Sequence, residues 1–263
     1  MLGSTVLEVA VGLTFCYATV ALIVSTLQEI IATMLRLRAG CLLEGIKSML
    51  GDPQFTSLAR AVYGHVLVNP HEANARSRPS YIEPANFAVA LIDAIRTMPA
   101  DFAQLGRDID ALPNTRVKRA LQGLYLRAQG DMALFERSVA LWFDTAMVRV
   151  SAAYKRRAMA ISLVLSLLLA ILFNIDSIHL FRSLWQHPAL AAHISGAPGT
   201  LDAQAIEALR RLPIGWQNFP PALNEGFVLN VAGWLLTAST ALFGAPFWFE
   251  LTKKTVQLRG ARP

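Results

Sequence analysis

Polar and charged residues punctuate most of this chain at the intervals a solvated helix needs, but they disappear from three long stretches. Val9 to Leu27 and Ala158 to Ile175 carry no formal charge, and between Phe227 and Leu251 only Asn230 and Glu250 are strongly polar. A helix of about 20 apolar residues crosses the roughly 30 Å hydrocarbon layer of a bilayer. The pattern therefore predicts three transmembrane helices, within 1–35, 158–175 and 227–251. The first is expected to run on as helix past the membrane, because Leu35, Leu42, Ile46, Met49 and Leu50 keep a helical period until Gly51-Asp52-Pro53 stops it. The third is expected to kink near its inner end at Pro246, which lacks an N–H and clashes with the preceding turn.

The segment between the first two stretches, 36–157, has the shorter apolar periods of a water-facing helical domain. Helical spacing runs from Phe55 to Leu67. A polar loop from Asn69 to Pro79 holds His71, Glu72, Arg76 and Arg78. Glu83-Pro84 opens a helix through Met98, with proline in the first turn where its missing N–H is harmless. Shorter helices are expected over 101–112 and 115–129. A long one starts at Gly130-Asp131 and runs into the second stretch, with a stripe of Phe135, Val139, Trp142, Phe143, Ala146, Val150 and Tyr154. Residues 176–226 read as a cap with helices over 181–190 and 202–211 and a turn at 196–199; 252–263 is a tail. No alternating strand pattern occurs, so the fold class is all-α: a polytopic helical membrane protein with three spans and one small helical domain.

Charge gives this arrangement a direction. Of 24 Lys+Arg, 17 lie in 36–157, 4 follow Leu251 and only 3 lie in 174–225. Positive loops stay on the cytoplasmic side, so 36–157 and the C-terminus are expected inside, and the N-terminus and 176–226 outside. Within 36–157 the 17 cations face 11 Asp+Glu, a net of +6. The strongest cluster, Lys155-Arg156-Arg157, abuts a predicted span, where anionic lipid headgroups are the natural partner; a nucleic-acid surface would interleave its cations with aromatics, and none is expected. Trp185, Trp216, Trp234 and Trp248 sit near the predicted interfaces, where an aromatic belt would lie.

Candidate chemistry is sparse. Cys16 and Cys41 form no CxxC pair, and His65, His71, His179, His187 and His193 form no HxxxH or HExxH, so no metal or cofactor site is expected. The chain lacks GxxxxGK[ST], GxGxxG and GxSxG. Asp108 and Asp110 beside Arg107 read as a solvated face. The polar positions of interest lie in or near the spans. Gln28 and Glu29 fall at the inner end of the first, where an acid is either a functional group or a headgroup-level partner of nearby cations. Asn174, Asp176 and Asn230 should share a depth on the outer side, either as a cation site or, preferably, as a cap of the second helix bonded across to the third. Small and polar faces recur on all three spans: Ala10, Thr14, Ala18, Ala21, Ser25 and Gln28; Ser162, Ser166, Ala170 and Asn174; Asn230, Gly233, Thr237, Thr240 and Gly244. They read as helix-packing faces, with a wet path or an oligomer seam as the alternative.

Residues 142–157 (Trp-Phe-Asp-Thr-Ala-Met-Val-Arg-Val-Ser-Ala-Ala-Tyr-Lys-Arg-Arg) and 244–249 (Gly-Ala-Pro-Phe-Trp-Phe), with Leu184-Trp185 and Pro79-Ser80-Tyr81-Ile82, resemble a family of bacterial inner-membrane proteins with three predicted spans. The similarity covers most of the chain and implies an inner-membrane location and no particular reaction. Trp142, Phe143, Met147 and Tyr154 are expected to join the domain to the base of a span or to line a partner groove, and Pro246 and Trp248 to anchor the third helix at the headgroups. The expectation is a non-enzymatic membrane anchor or scaffold that binds lipid and assembles with protein partners or with itself. The alternative is a subunit of an oligomeric pore, with Ser25, Gln28 and Thr237 facing water.

Overall fold

The computed structural model describes residues 2–70, 79–97, 101–113, 115–186, 214–216 and 225–260. Among them every regular element is helical: α1 (Leu2–Met34), α2 (Leu37–Leu50), α3 (Leu58–Tyr63), α4 (Pro84–Ile95), α5 (Phe102–Asp110), α6 (Thr115–Ala128), α7 (Met132–Leu172), α8 (Ser177–Gln186), α9 (Glu225–Ala241) and α10 (Gly244–Gly260). The expected helix over 202–211, the turn at 196–199, and His71, Glu72, Arg76, Arg78, His187 and His193 lie outside the described residues.

Three breaks divide what the apolar pattern joins. α1 does not continue to Leu50: it ends at Met34, Arg36 takes a left-handed conformation (φ 50°), and α2 starts afresh. The Arg36 N–H bonds to Thr33 O and its carbonyl accepts from Gly40, so the break leaves few backbone groups unpaired. α7 is 41 residues long but stops at Leu172, with Asn174 left-handed behind it (φ 47°). Its uncharged part from Ala158 is then about 22 Å long at 1.5 Å per residue, short of a bilayer core, and it reaches span length only jointly with α8, across a 55° bend. α9 and α10 meet at 92° instead of forming one kinked helix. The reversal is at Gly244 (φ 78°), and Pro246 stands in the first turn of α10, where it interrupts no hydrogen bond. By length and composition, α1 is the one described helix able to cross a membrane unaided, through Val9–Met34; the number rises to three when each bent pair is taken as one span.

The chain divides into two compact units. The unit Ala32–Arg156 has an ordinary interior. Ile46 and Leu50 of α2, Phe87 and Leu91 of α4, Leu105 and Ile109 of α5, Leu121 of α6, and Phe135, Val139 and Phe143 of α7 are almost fully buried in one cluster. Phe87 stacks on Phe143 at 4.0 Å between centroids, and Phe102 on Tyr125 at 4.3 Å. Loops are fixed by acids. The Asp52 carboxylate accepts the backbone N–H groups of Thr56, Ser57 and Ala59 at 3.0, 2.8 and 3.2 Å. Asp108, expected on a solvated face, is solvent-facing and also accepts from the Thr97 N–H (2.8 Å), the Thr97 hydroxyl and Gln104 Nε2, tying the end of α4 to α5.

The other unit, Met1–Ile31 with Arg157–Pro263, packs by different means. Its apolar clusters are small: Val9, Cys16, Leu180 and Leu184; Ala18, Ala21 and Trp248; Val20, Val24 and Ala241. Its inward faces also carry Thr14, Ser166, Asp176, Ser177 and Thr237, which are five of the six buried polar side chains among the described residues. Large apolar side chains point outward, among them Leu22, Ile23, Val164, Leu168, Leu235, Leu236, Phe247 and Phe249.

Candidate functional site: a buried polar cluster at the Asp176 bend

The cluster forms where α7 gives way to α8. Asn174 ends the helix in the left-handed region that asparagine tolerates better than most residues. Two residues on, Asp176 caps α8: its Oδ1 accepts the N–H groups of Ile178 and His179 at 2.8 and 3.1 Å. An aspartate is favoured there because it satisfies orphan donors and faces the positive end of the helix. With its amide turned so that the nitrogen meets the surrounding acceptors, Asn230 of α9 donates to Asp176 Oδ2 (3.1 Å) and to Gly226 O (3.3 Å). All three partners of this buried carboxylate are donors, so both oxygens act as acceptors.

α9 comes close because Gly233 has no side chain. A Cβ there would collide with the Asp176 carboxylate. One turn further, Thr237 is fully buried, its Oγ1 lying 2.7 Å from Ile175 O, 3.0 Å from Gly233 O and 2.7 Å from Ser177 Oγ. A hydroxyl has one proton to donate. If Thr237 gives it to a carbonyl, Ser177 must donate to Thr237. The Tyr17 side chain of α1 lies beside Ser177. Tyr17 also lies 5.0 Å from the Trp248 ring, whose Nε1 donates to Thr240 O at 2.8 Å. On the other flank Trp234 Nε1 donates to Asn174 Oδ1 (3.0 Å), Asn174 Nδ2 to Gly215 O (3.1 Å), and Trp216 Nε1 to Ile171 O (3.0 Å). Ser166 of α7 donates to Ala238 O at 3.0 Å.

Asn174, Asp176, Asn230, Gly233 and Thr237 thus meet in one place, while the other sequence candidates do not. Gln28 is half-buried and Glu29 exposed on α1. Gly244 makes the α9–α10 reversal and Pro246 is exposed beside it. Trp248, expected at the headgroups, is buried against Tyr17; Trp234 is buried too, which removes both from an outward aromatic belt. Phe143 is spent in the core of its own unit, with Trp142 and Met147 partly buried against that core. Met147 and Tyr154 line a surface groove of the same unit. Tyr17, Ser177 and Trp216 are members of the polar cluster that the sequence reading passed over. Asp-Ser directly after an apolar run is a helix-start signal and could have pointed to Ser177. Nothing local marks Tyr17.

The cluster has one acid, and among the described residues no three His, Cys, Asp or Glu side chains gather to hold a metal. What the arrangement can do is hold α7, α8 and α9 in register through hydrogen bonds, those of Ser166, Ser177 and Thr237 buried among them. The class so defined is an all-α chain of two helical units, one of them with its polar groups turned inward. No family model, no curated protein and no solved structure matches the chain.

Proposed function

We propose that the protein is a non-enzymatic anchor or scaffold of the bacterial inner membrane, holding the helical unit Ala32–Arg156 at the cytoplasmic face for assembly with protein partners or with a second copy. The carrying observation is the reversed sidedness of the other unit: Thr14, Ser166, Asp176, Ser177 and Thr237 are inside while Leu168, Leu235 and Phe247 are outside. Helices in lipid gain nothing from hiding leucine from one another and associate through small residues and cross-helix hydrogen bonds. On this reading α1, the pair α7–α8 and the pair α9–α10 are three crossings. The excess of Lys and Arg in 36–157 supports an inside position for that unit and the C-terminus. The resemblance of the 142–157 and 244–249 segments to three-span inner-membrane proteins points the same way.

The anchor reading is preferred to a pore because Thr237, the central residue of the candidate wet face, is 0% exposed with its hydroxyl committed. Reporter fusions test the topology. A fusion at Gly199 should report the compartment opposite to fusions at Gly51 and Pro263, and the full-length chain should resist carbonate extraction. A Gly199 reporter in the same compartment as the other two rejects the three crossings. Aqueous labelling of a Thr237→Cys variant in intact membranes rejects the packed interior in favour of the pore.

A further inference from the structure

A groove of about 680 Å³ opens on the surface of the unit Ala32–Arg156. Its walls are apolar, from Leu42 of α2, Ile82 before α4, and Met147 and Val150 of α7. Arg38 of α2 and Lys155 of α7 are part of the same lining, both exposed. Two cations from separate helices therefore meet one apolar slot. Chain connectivity also fixes what surrounds them. Lys155 lies three residues before the uncharged stretch on the same unbroken helix, about 4.5 Å along its axis, and Arg38 follows the end of α1 by four residues. A cation at each such position is where a lipid phosphate lies if the apolar stretches are in a bilayer. Asp144 lines the groove as well. A small free anion would gain from the cations, lose to this carboxylate and leave the slot empty, whereas an acyl chain fills the slot.

We propose that this groove binds one anionic phospholipid, its phosphate between Arg38 and Lys155 and one acyl chain along Leu42, Ile82, Met147 and Val150. The proposal rests on the membrane reading above and adds a specific lipid site to it. The test uses the full-length chain in a non-ionic detergent, with lipid retention counted by native mass spectrometry. Dioleoyl phosphatidylglycerol should be retained as one copy at least tenfold more tightly than dioleoyl phosphatidylcholine. The double variant R38Q/K155Q should erase that preference. Ser151→Trp, at an exposed groove position, should remove the bound copy while leaving both charges. Millimolar glycerol 3-phosphate should not displace the lipid. In the wild-type protein, a photoreactive phosphatidylglycerol should crosslink to the peptide spanning 142–155, which needs no variant to fold. Equal retention of the two lipids, an unchanged double variant, or crosslinks only elsewhere overturns the site. Displacement by glycerol 3-phosphate with no effect of Ser151→Trp assigns a soluble phosphate site and overturns the lipid. Carbonate extraction of the same proteins separates the two readings: loss from the membrane sinks the membrane assignment, while retention without lipid preference sinks only the groove.

Discussion

The two units differ in how much polarity they bury. In Ala32–Arg156 the interior is Phe87, Leu91, Leu105, Phe135 and Phe143, and the one buried charged side chain among its described residues, Asp52, is a loop cap. In the other unit the interior mixes small apolar clusters, Leu180 and Leu184 among them, with alanine, buried hydroxyls and the Asp176 carboxylate, while Leu168, Leu235, Phe247 and other large apolar side chains face out. Water imposes the first arrangement, because apolar area removed from it contributes about 25 cal/mol per Å². Nothing in water imposes the second. It is stable where the surroundings are as apolar as leucine and the remaining gain is from close approach and hydrogen bonds. On the membrane reading proposed above, the contrast reflects the solvent around each unit, and the same substitution placed in each should give different results.

The largest difference is expected from glycine to alanine. Gly233→Ala sets a methyl against the Asp176 carboxylate, which can withdraw only by abandoning Ile178, His179 and Asn230. Overpacking combined with a buried carboxylate stripped of its donors should cost at least about 4 kcal/mol, seen as a collapse of the melting temperature in detergent. Gly123→Ala, in the interior of α6, meets only Arg127 Nη2 at 3.6 Å, an ordinary contact, and should stabilise by up to about 1 kcal/mol through helix propensity. Equal effects of the two would mean that α9 does not approach the bend as described.

A charge placed on an outward leucine asks about the solvent directly. Leu168 is 58% exposed on α7 and Leu126 is 74% exposed on α6. Leu126→Glu should change stability by less than about 0.5 kcal/mol, as surface substitutions do. Leu168→Glu should disfavour membrane insertion by roughly 3 kcal/mol, measured as the inserted fraction after translation into membranes. An inert Leu168→Glu would put the outward face of that unit in water and remove the contrast.

How far the sequence reveals this contrast depends on whether a feature is written locally. The core stripe of α7, Phe135 to Phe143, follows from its period, and so does the helix opened by Glu83-Pro84. The small and polar faces of the apolar helices are legible for the same reason: Thr14, Ser166 and Thr237 recur at helical spacing and prove to be buried. The breaks are not legible. Arg36 and Asn174 turn left-handed with no glycine or proline to mark the spot, and Pro246 draws attention to itself while Gly244, two residues earlier, makes the turn. In the candidate site, Asn174, Asp176 and Asn230 were suggested by shared depth along their helices. Tyr17 joins them only through tertiary geometry, 160 residues before Ser177, which no local pattern encodes.

The two buried aspartates differ in what holds them. Asp52 accepts the backbone N–H groups of Thr56, Ser57 and Ala59, close in sequence, and Asp176 also accepts from a side chain on another helix. For Asp52 burial pushes the carboxyl pKa up, but the N–H groups of Thr56, Ser57 and Ala59 outweigh it and hold the pKa below the usual range. The folded chain thus binds fewer protons here than the unfolded chain between the two pKa values. The stabilisation is complete above about pH 4, near the unfolded value, and is lost as pH falls through the folded one. Asp52→Asn should cost about 2 kcal/mol at neutral pH and flatten part of the acid limb of the melting temperature. Asp108, held low first by the Thr97 N–H, contributes an acid slope of the same sign, so Asp108→Asn is the control that separates the two. An Asp52→Asn protein that keeps the full acid limb would assign that limb elsewhere.

The smallest effect is the most specific to the membrane reading. Ser166→Ala removes a hydroxyl shared between Ala238 O (3.0 Å) on α9 and Leu163 O (3.1 Å) of its own helix, and little volume. Cross-helix bonds of this kind average about 0.6 kcal/mol in membrane proteins, because the separated helices find other partners. Ser138 makes the corresponding bond to the carbonyl four residues back, Leu134 O, on an exposed face of α7, and Ser138→Ala should be neutral or slightly stabilising, since alanine is the better helix former. The pair is read by the melting temperature of each variant in one detergent, and the sign is what matters. A loss at 166 with none at 138 locates the bond between helices. A loss at both, or at neither, would leave the serine of the interior no different from one on a water-facing surface, and the inward polar face would then need another cause.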